Sequence, residues 1–520
     1  MRHLLSAVAL CGLTVSFVQA DVSMPKVFGS NMVLQRDLPC PVYGNAAAGE
    51  EVNVKFGGQE KKATADAKGR WMVKLDVMEA NAEGQTLEVA AKNTIKFTNV
   101  LVGDNWVCSG QSNMEWTVGR TLNATEEAKA AEYPGIRLYN VQGHITSPTP
   151  ASDAPGSWQI CNARSVRGFS AVGYFFGRRL HKDAKIPIGL IGANWGGTRI
   201  EPWTAPVGFR MVPELKAIAD KVNLFDLTTE QGKATWNKYI ADMESWLNTA
   251  KAALAAGDAF PNMPASPGPR SGGEPVAIYN GMVTPLVPYG IKGAIWYQGE
   301  SNGGEGESYH HKKQALVKGW RTVWNQGDFP FYWVQLADFQ KSNGKPEGGD
   351  GWAKLREAQR KSLTIPNTGM AVIHDIGNAR DIHPKNKQDV GDRLAQWALH
   401  QTYKQDIVPC GPLFKKIEVE GNKIRIHFDH VGKGLMVGSK EGLAPTKEVP
   451  GGKLEKFAIA GTDKAWQWAE AVIDGETVVV SCEAIQAPVA VRYGYTMNPR
   501  GANLYNKEGI PASSFRSDNW

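Results

Sequence analysis

The chain of 520 residues lacks three features that would each point to a particular class of protein. None of its six cysteines belongs to a Cys-x-x-Cys pair, which argues against a zinc site. It has no run of basic residues and a net charge of only +6, so nucleic acid is not an expected partner. Beyond residue 20 no apolar run is long enough to span a membrane, so we expect no membrane span.

The first 20 residues have the pattern of a secretory signal peptide, with an apolar core over residues 4–18 and a small-residue cleavage site that ends at Ala20. We expect cleavage after Ala20 and a periplasmic or secreted protein. Loss of Arg2 would lower the net charge from +6 to +5. Lipidation at Cys11 is the alternative, although Leu10 is bulkier than such sites usually accept. Export permits disulfides among the other cysteines, but their spacing does not pair them.

Apolar residues alternate with polar residues over much of residues 21–102, for example at Val52, Val54 and Phe56. This period of two predicts half-buried strands and a small sandwich-like β domain. From residue 405 to residue 520 strand patterns return, with turn signals between them. We therefore expect a β-rich region at each end of the mature chain.

The middle of the chain, residues 103–404, has a different pattern. Short continuous apolar runs alternate with helical patterns, which predicts a parallel sheet covered on both faces. The runs are 188–191, 293–296, 331–334 and 370–373. Residues 209–258 are predicted to be an inserted helical segment with an aromatic stripe at helical spacing. We expect this stripe to be the buried face of a helical hairpin, with a substrate lid as the alternative.

Ser112 lies in the run Gly110-Gln111-Ser112-Asn113-Met114, directly after an apolar, strand-like segment. Gly110 permits a tight turn at this point. A serine hydroxyl becomes a good nucleophile only when a neighbouring base takes its proton. Ser112 is therefore a candidate nucleophile that needs a base from elsewhere in the chain.

The run Asp381-Ile382-His383-Pro384 supplies a base and an acid two residues apart. Histidine is the usual general base because its pKa lies near neutrality, and a carboxylate can hold its ring in the correct tautomer. Residues two apart in an extended chain point to the same side, so Asp381 can reach His383. Asp375 and Glu300 are the alternatives for the acid.

Two further loops follow predicted strands and carry glycines and amides. The run Gly196-Gly197-Thr198 can bring a backbone N–H close to a substrate. Residues 297–302 offer amide donors from Gln298 or Asn302. Each loop alone is an ordinary strand-end turn, but the carboxyl ends of parallel strands are where α/β sites form. We therefore expect these loops, Ser112 and His383 to form one site.

Taken together, these runs resemble the sialate O-acetylesterase family of the SGNH-hydrolase superfamily. The resemblance covers nearly the whole mature chain. It rests on residues 110–114, 194–198, 279–282, 296–302, 381–384 and 498–506.

The resemblance implies a three-layer α/β/α, flavodoxin-like domain flanked by β-sandwich-like domains, with Ser112 as nucleophile and His383 as base. It implies an oxyanion hole formed by the backbone N–H groups of Ser112 and Gly197. Gln298 would replace the asparagine that the superfamily usually has. The superfamily's acid lies three residues before its histidine, whereas Asp381 lies two before, so a Ser–His dyad assisted by a backbone carbonyl is the alternative to a triad.

The implied reaction is hydrolysis of acetyl esters on a carbohydrate, most simply O-acetylated sialic acids, without a metal or organic cofactor. Trp195 and Trp296 can stack on sugar faces, and Asn302 can bind substrate. Arg199 can pair with a sugar carboxylate or form a surface salt bridge. Two other functions fit the sequence: an acetylesterase acting on plant polysaccharides such as xylan or xyloglucan, and a non-catalytic carbohydrate-binding protein.

Overall fold

The N-terminal part of the chain is built from strands. The computed structural model describes residues 21–520, so the expected signal peptide and Cys11 lie outside the described residues. The predicted alternation at Val52, Val54 and Phe56 is confirmed, because all three side chains are buried. The strands are β1 (Val33–Gln35), β2 (Cys40–Asn45), β3 (Glu51–Phe56), β4 (Gln59–Thr64), β5 (Arg70–Leu75), β6 (Asn81–Ala90) and β7 (Thr94–Gly110).

Strand β7 joins the N-terminal part to the central sheet. It spans 17 residues and is fully buried from Val100 to Gly110. Its first half pairs antiparallel with β6, and its second half is the middle strand of the central sheet. The expected boundary between residues 102 and 103 therefore lies inside one continuous strand.

The central sheet has the strand order β13-β12-β11-β7-β10-β8-β9, and every pairing in it is parallel except that of β9 with β8. The four predicted apolar runs form or overlap its strands and are buried, which is why they carry no polar alternation. The additional strands are β8 (Tyr133–Asn140), β9 (Trp158–Cys161), β10 (Ile188–Asn194), β11 (Gly293–Tyr297), β12 (Phe331–Val334) and β13 (Thr368–Ala371).

The helices of the described residues are α1 (Ser112–Glu115), α2 (Ala124–Lys129), α3 (Ala171–Ala184), α4 (Pro206–Arg210), α5 (Lys216–Asn223), α6 (Glu230–Ala256), α7 (Glu307–Trp324), α8 (Ala353–Lys361) and α9 (Lys387–Trp397). Trp106 of β7 contacts Phe176 of α3, whereas Trp296 of β11 contacts Trp320 of α7. Trp296 is in register with Ser109, three residues beyond Trp106, so the two tryptophans point to opposite faces.

The predicted helical insertion contains α5 and the long helix α6. Thr229 caps α6 by accepting a hydrogen bond from the N–H of Gly232. The expectation that its aromatic stripe is a buried face is met only in part, because the aromatic side chains Trp236, Tyr239 and Trp246 are half-buried. Gly232 and Ala250 are the buried residues of α6, while Ile240 and Leu247 of the stripe are 53% and 47% exposed. The stripe is amphipathic in sequence, but the rest of the chain covers only part of it.

The C-terminal part returns to strands and has its own hydrophobic cluster, which includes Ile424, Phe457 and Phe515. The turn signals in this region include Gly421-Asn422 and Asp474-Gly475, and each joins two antiparallel strands. The strands are β14 (Leu413–Glu420), β15 (Lys423–Asp429), β16 (Leu435–Ser439), β17 (Lys447–Glu448), β18 (Phe457–Gly461), β19 (Trp466–Trp468), β20 (Glu470–Asp474), β21 (Thr477–Ser481), β22 (Pro488–Tyr493), β23 (Leu504–Asn506) and β24 (Phe515–Arg516).

The described residues also show the state of the cysteines and the character of the helices. Cys40, Cys108, Cys161, Cys410 and Cys482 are free thiols, and all but Cys482 are buried. Within residues 21–520, none of the helices combines the length and the apolarity that crossing a bilayer requires.

Candidate active site

Ser112 lies at the carboxyl end of the central strand β7 and is the first residue of the short helix α1. The backbone turns sharply just before it. Gly110 has φ 141°, and a Cβ at this position would lie 2.2 Å from the carbonyl oxygen of Tyr297. The N–H of Gln111 donates to that same carbonyl at 3.0 Å. Glycine is therefore required at position 110, and the turn places Ser112 at the edge of the sheet.

The imidazole of His383 contacts the Ser112 hydroxyl. His383 Nε2 lies 2.9 Å from Ser112 Oγ, although the residues are 271 positions apart in the chain. Partial burial lowers the pKa of His383, and the nearby Lys387 lowers it further. The ring of Trp116 stacks on the imidazole with centroids 4.9 Å apart. At neutral pH the ring is uncharged, so Nε2 is available to accept the serine proton.

Asp381 is the nearest of the three candidate acids to this imidazole. Its Oδ1 is 3.6 Å from His383 Nδ1, which is longer than a hydrogen bond, and the same oxygen accepts the backbone N–H of His383 at 2.9 Å. Asp375 is instead held by Arg393 through contacts of 2.6 and 2.8 Å. Glu300 accepts a hydrogen bond from Asn113. Neither alternative acid is bonded to His383.

The turn that contains Gly196 and Gly197 lies against Ser112. A Cβ added to Gly196 would be 3.3 Å from Ser112 Cβ. The N–H of Gly196 donates to Glu115 Oε2 at 2.7 Å, so it is already occupied. Gly197 has φ 73°, and a Cβ added there would meet no other atom within 4 Å. Among residues 21–520 no acceptor takes the N–H of Gly197 or that of Ser112, so both are free to bind an incoming oxygen atom.

Gln298 does not point into the site. Its side chain is fully buried, and its Nε2 donates to the carbonyl of Thr198 at 3.2 Å and to Asn302 Oδ1 at 2.8 Å. Its Oε1 accepts the hydroxyl of Tyr309. An amide nitrogen has two N–H donors, and both are used. The expected donor role of Gln298 in an oxyanion hole therefore does not match this geometry; the residue ties two loops together instead.

Two of the four side chains that were expected to contact a sugar, Trp296 and Asn302, are buried. Trp296 is 0% exposed and packs edge-to-face against Trp203 and Trp320, so it offers no face to a sugar. Asn302 is 1% exposed and is bonded within the loops, as the acceptor of the Ile200 N–H for example. The expectation that these two residues bind substrate does not match their burial.

The other two expected contacts reach the surface. Trp195 is half-buried and stacks on the ring of His144, with centroids 4.7 Å apart. Arg199 is 45% exposed but forms ion pairs with both Glu201 and Glu305. Its positive charge is therefore already neutralised within the protein.

Several polar residues at the site were missed from sequence. Glu115 lies one helical turn after Ser112, a spacing that predicts proximity, and it bonds His144 Nε2 at 2.8 Å. Asn113 and Lys387 form a buried pair behind the serine. No local pattern links Glu115 to His144 or Asn113 to Lys387, because each pair joins segments that are far apart in the chain. In the described part of the chain no group of three or more His, Cys, Asp or Glu side chains is arranged to hold a metal ion.

A parallel α/β sheet with a hydroxyl–imidazole pair at its carboxyl edge is typical of hydrolases. The sequence model of the family "SASA: Carbohydrate esterase, sialic acid-specific acetylesterase" matches residues 102–257 and 276–400. The chain belongs to this family and is a carboxylic ester hydrolase.

Known relatives match along most of the chain. It is 32% identical to the sialate O-acetylesterase of Rattus norvegicus, over 93% of this chain and 92% of the relative. It is 30% identical to the sialate O-acetylesterase of Homo sapiens, over 76% and 74% of the two chains. The crystal structure of a carbohydrate acetylesterase from Xanthomonas citri superposes with a TM-score of 0.77 at 34% identity, covering 96% of this chain and all of that one.

Proposed function

We propose that this protein removes O-acetyl groups from sugars, with Ser112 as nucleophile and His383 as general base. The 2.9 Å contact between Ser112 Oγ and His383 Nε2 is the observation that supports this most directly. His383 takes the serine proton as Oγ attacks the acetyl carbonyl carbon. The tetrahedral intermediate then collapses, and the sugar alcohol leaves with the proton from His383. Water, deprotonated by His383, hydrolyses the acetyl-serine to acetate.

The negative charge that develops on the carbonyl oxygen needs preorganised donors. We assign this role to the backbone N–H groups of Ser112 and Gly197, because both are without an acceptor in residues 21–520 and the Gly196 turn packs on Ser112. Gln298 supports them indirectly, since its amide holds the Thr198 carbonyl at the end of the same turn.

Asp381 acts on His383 mainly through the backbone and through its charge. Changing Asp381→Asn is expected to lower kcat by about tenfold, much less than loss of a directly bonded triad aspartate, because the carboxylate is 3.6 Å from Nδ1 and 40% exposed. Acetate release from an acetylated sugar measures this. A loss equal to that of a His383 variant would instead indicate a direct hydrogen bond in the reacting enzyme.

We propose O-acetylated sialic acids as the substrate, as the names of the relatives suggest. A sialic acid carries a carboxylate and needs a cation near the site. Arg199 is already paired with two glutamates. Arg120 is exposed, has no carboxylate partner among residues 21–520, and stacks on Trp116 at 3.7 Å from the ring centroid. Trp116 in turn stacks on His383. Arg120 is therefore the better candidate to bind the carboxylate.

Changing Arg120→Gln is expected to lower kcat/KM for an O-acetylated sialic acid by about 10- to 100-fold, because a charge-assisted hydrogen bond is lost. The value for a neutral acetylated sugar should change by less than about twofold. Arg199→Gln is the matched control and should have the smaller effect on the sialate ester. Equal losses on both substrates, or a wild-type preference for acetylated xylan or xyloglucan, would favour the plant-polysaccharide alternative.

We infer that the enzyme is exported by its N-terminal signal peptide and begins at Asp21, which N-terminal sequencing of the mature protein tests. We also infer an SGNH-type, flavodoxin-like three-layer domain over residues 103–404. The opposite orientations of Trp106 toward α3 and Trp296 toward α7 support this layering. The separate hydrophobic cluster of the C-terminal strands supports a distinct β-rich region over residues 405–520.

A further inference from the structure

A buried polar cluster lies directly behind the Ser112 turn. It consists of Asn113, Glu300 and Lys387, and the proposed reaction assigns no role to any of them. Lys387 is fully buried, and Asn113 is 1% exposed. Burying a lysine amine is costly unless it has a partner, so the presence of Lys387 at this position calls for a physical explanation.

The side-chain amide of Asn113 connects helix α1 to two separate segments of the chain. Its Nδ2 donates to Glu300 Oε1 at 2.6 Å and to the backbone carbonyl of Ile382 at 3.0 Å. Ile382 immediately precedes His383, and Asn113 immediately follows Ser112. The amide of Asn113 therefore holds the loop of the base against the turn of the nucleophile.

Lys387 determines which way this amide points. Its Nζ donates to Asn113 Oδ1 at 2.5 Å. An asparagine side chain has an oxygen at one end and an NH₂ group at the other, and an ammonium group can only donate. Lys387 therefore stabilises the one orientation in which Nδ2 faces both the Ile382 carbonyl and Glu300.

The charge of Lys387 also acts on the base. Its Nζ lies 6.0 Å from the ring centroid of Trp116, which stacks on His383. Lys387 and Arg120 both lower the pKa of His383, whereas Asp381 raises it. Burial lowers the pKa of Lys387 itself to about 7, against the opposing charge of Glu300. Below that pH, where the imidazole titrates, the lysine carries its charge.

We propose that Lys387 is a positioning residue of the esterase reaction: it orients Asn113, which clamps the His383 loop onto the Ser112 turn. The charge of Lys387 has a second effect, because a nearby cation disfavours protonation of the imidazole. The proposal rests on the proposed roles of Ser112 and His383. It gives a reason for a lysine in an otherwise closed interior, because apolar side chains of similar size would perform neither task.

The test compares Lys387→Met with Lys387→Gln. Methionine removes both the donor and the charge, so kcat is expected to fall by about 10- to 100-fold through misplacement of His383, with KM within about twofold of wild type. The acid limb of the pH profile of kcat/KM should move to higher pH, because a cation near the imidazole is gone. Glutamine keeps a donor without the charge, so it should recover part of kcat while retaining the shifted limb.

Lys385→Met is the matched control, because Lys385 is an exposed cation two residues from His383 and outside the cluster. The kcat of Lys385→Met and the acid limb of its pH profile should match those of wild type, since solvent and salt screen an exposed charge. A wild-type kcat and limb in Lys387→Met would overturn the proposal. If Lys387→Met does not fold, the acid limb of the pH profile of Lys387→Gln is the test. An acid limb at the wild-type pH would overturn the proposed effect of the charge.

The proposed function and the proposed role of Lys387 can fail separately. A serine-reactive phosphonate should label Ser112 in the wild-type enzyme. If it does, and Lys387→Met is labelled at the same rate at every pH, only the role of Lys387 is wrong. If Ser112 is not labelled in the wild type, the proposed function itself is wrong.

Discussion

Changing Ser112→Ala is expected to abolish acetate release from acetylated sugars, with kcat falling by at least about 10⁴-fold. The hydroxyl supplies the attacking oxygen, and no other side chain is bonded to His383 Nε2 in residues 21–520. Removing one oxygen atom from a half-buried side chain leaves the surrounding packing almost unchanged. The thermal midpoint should therefore stay close to that of wild type.

Ser301→Ala is the matched control for this experiment. Ser301 lies in the neighbouring strand-end loop, and the contacts it makes there use its backbone: its N–H donates to Gln111 Oε1, and its carbonyl accepts from Arg199. Its turnover should remain near wild type. Full activity in Ser112→Ala, measured on folded protein, would contradict the assignment of the nucleophile.

Changing His383→Ala should lower kcat by about 10⁴-fold, because no group then takes the serine proton. The wild-type pH profile is a second measure of the same group. Burial and the charge of Lys387 lower the pKa of His383 below its ordinary value of 6.5. A base acts only when it is unprotonated, so kcat/KM should persist as the pH falls through 6.5 and decline only at lower pH.

His400→Ala is the matched control for the pH profile. His400 is an exposed histidine just beyond the far end of α9, whose first residue is Lys387. Its replacement should leave the acid limb in place. An acid limb at or above pH 6.5 in the wild-type enzyme would mean that the environment of His383 does not disfavour its charged form.

The sequence predicted the strands and the two reacting residues of this site better than the directions in which its buried side chains point. Motif spacing singled out Ser112 and His383, and the structure brings them within hydrogen-bonding distance. Continuous apolar runs predicted the parallel strands of the central sheet, and Ser112 and His383 both follow strands of that sheet. These features depend on local patterns, which a single sequence contains.

The direction in which each side chain points was harder to predict. Trp296 lies in β11 and Gln298 directly follows it, near the same edge of the sheet as Ser112. Both side chains are nevertheless buried, because strand alternation and the packing of α7 decide which side chains face Ser112. The sequence around Lys387 contains no pattern that distinguishes it from an exposed lysine. Its partner Asn113 is 274 positions away, so only the folded chain reveals the pair.

The most direct test of the central claim is mass spectrometry of the protein after treatment with a serine-reactive fluorophosphonate. We predict a single adduct, located on the peptide that contains Ser112, and a parallel loss of acetate release. The reagent should not label Ser112→Ala. An adduct on a different serine, or continued acetate release from fully labelled protein, would contradict the proposed mechanism; carbohydrate binding with neither labelling nor acetate release would indicate a non-catalytic carbohydrate-binding protein.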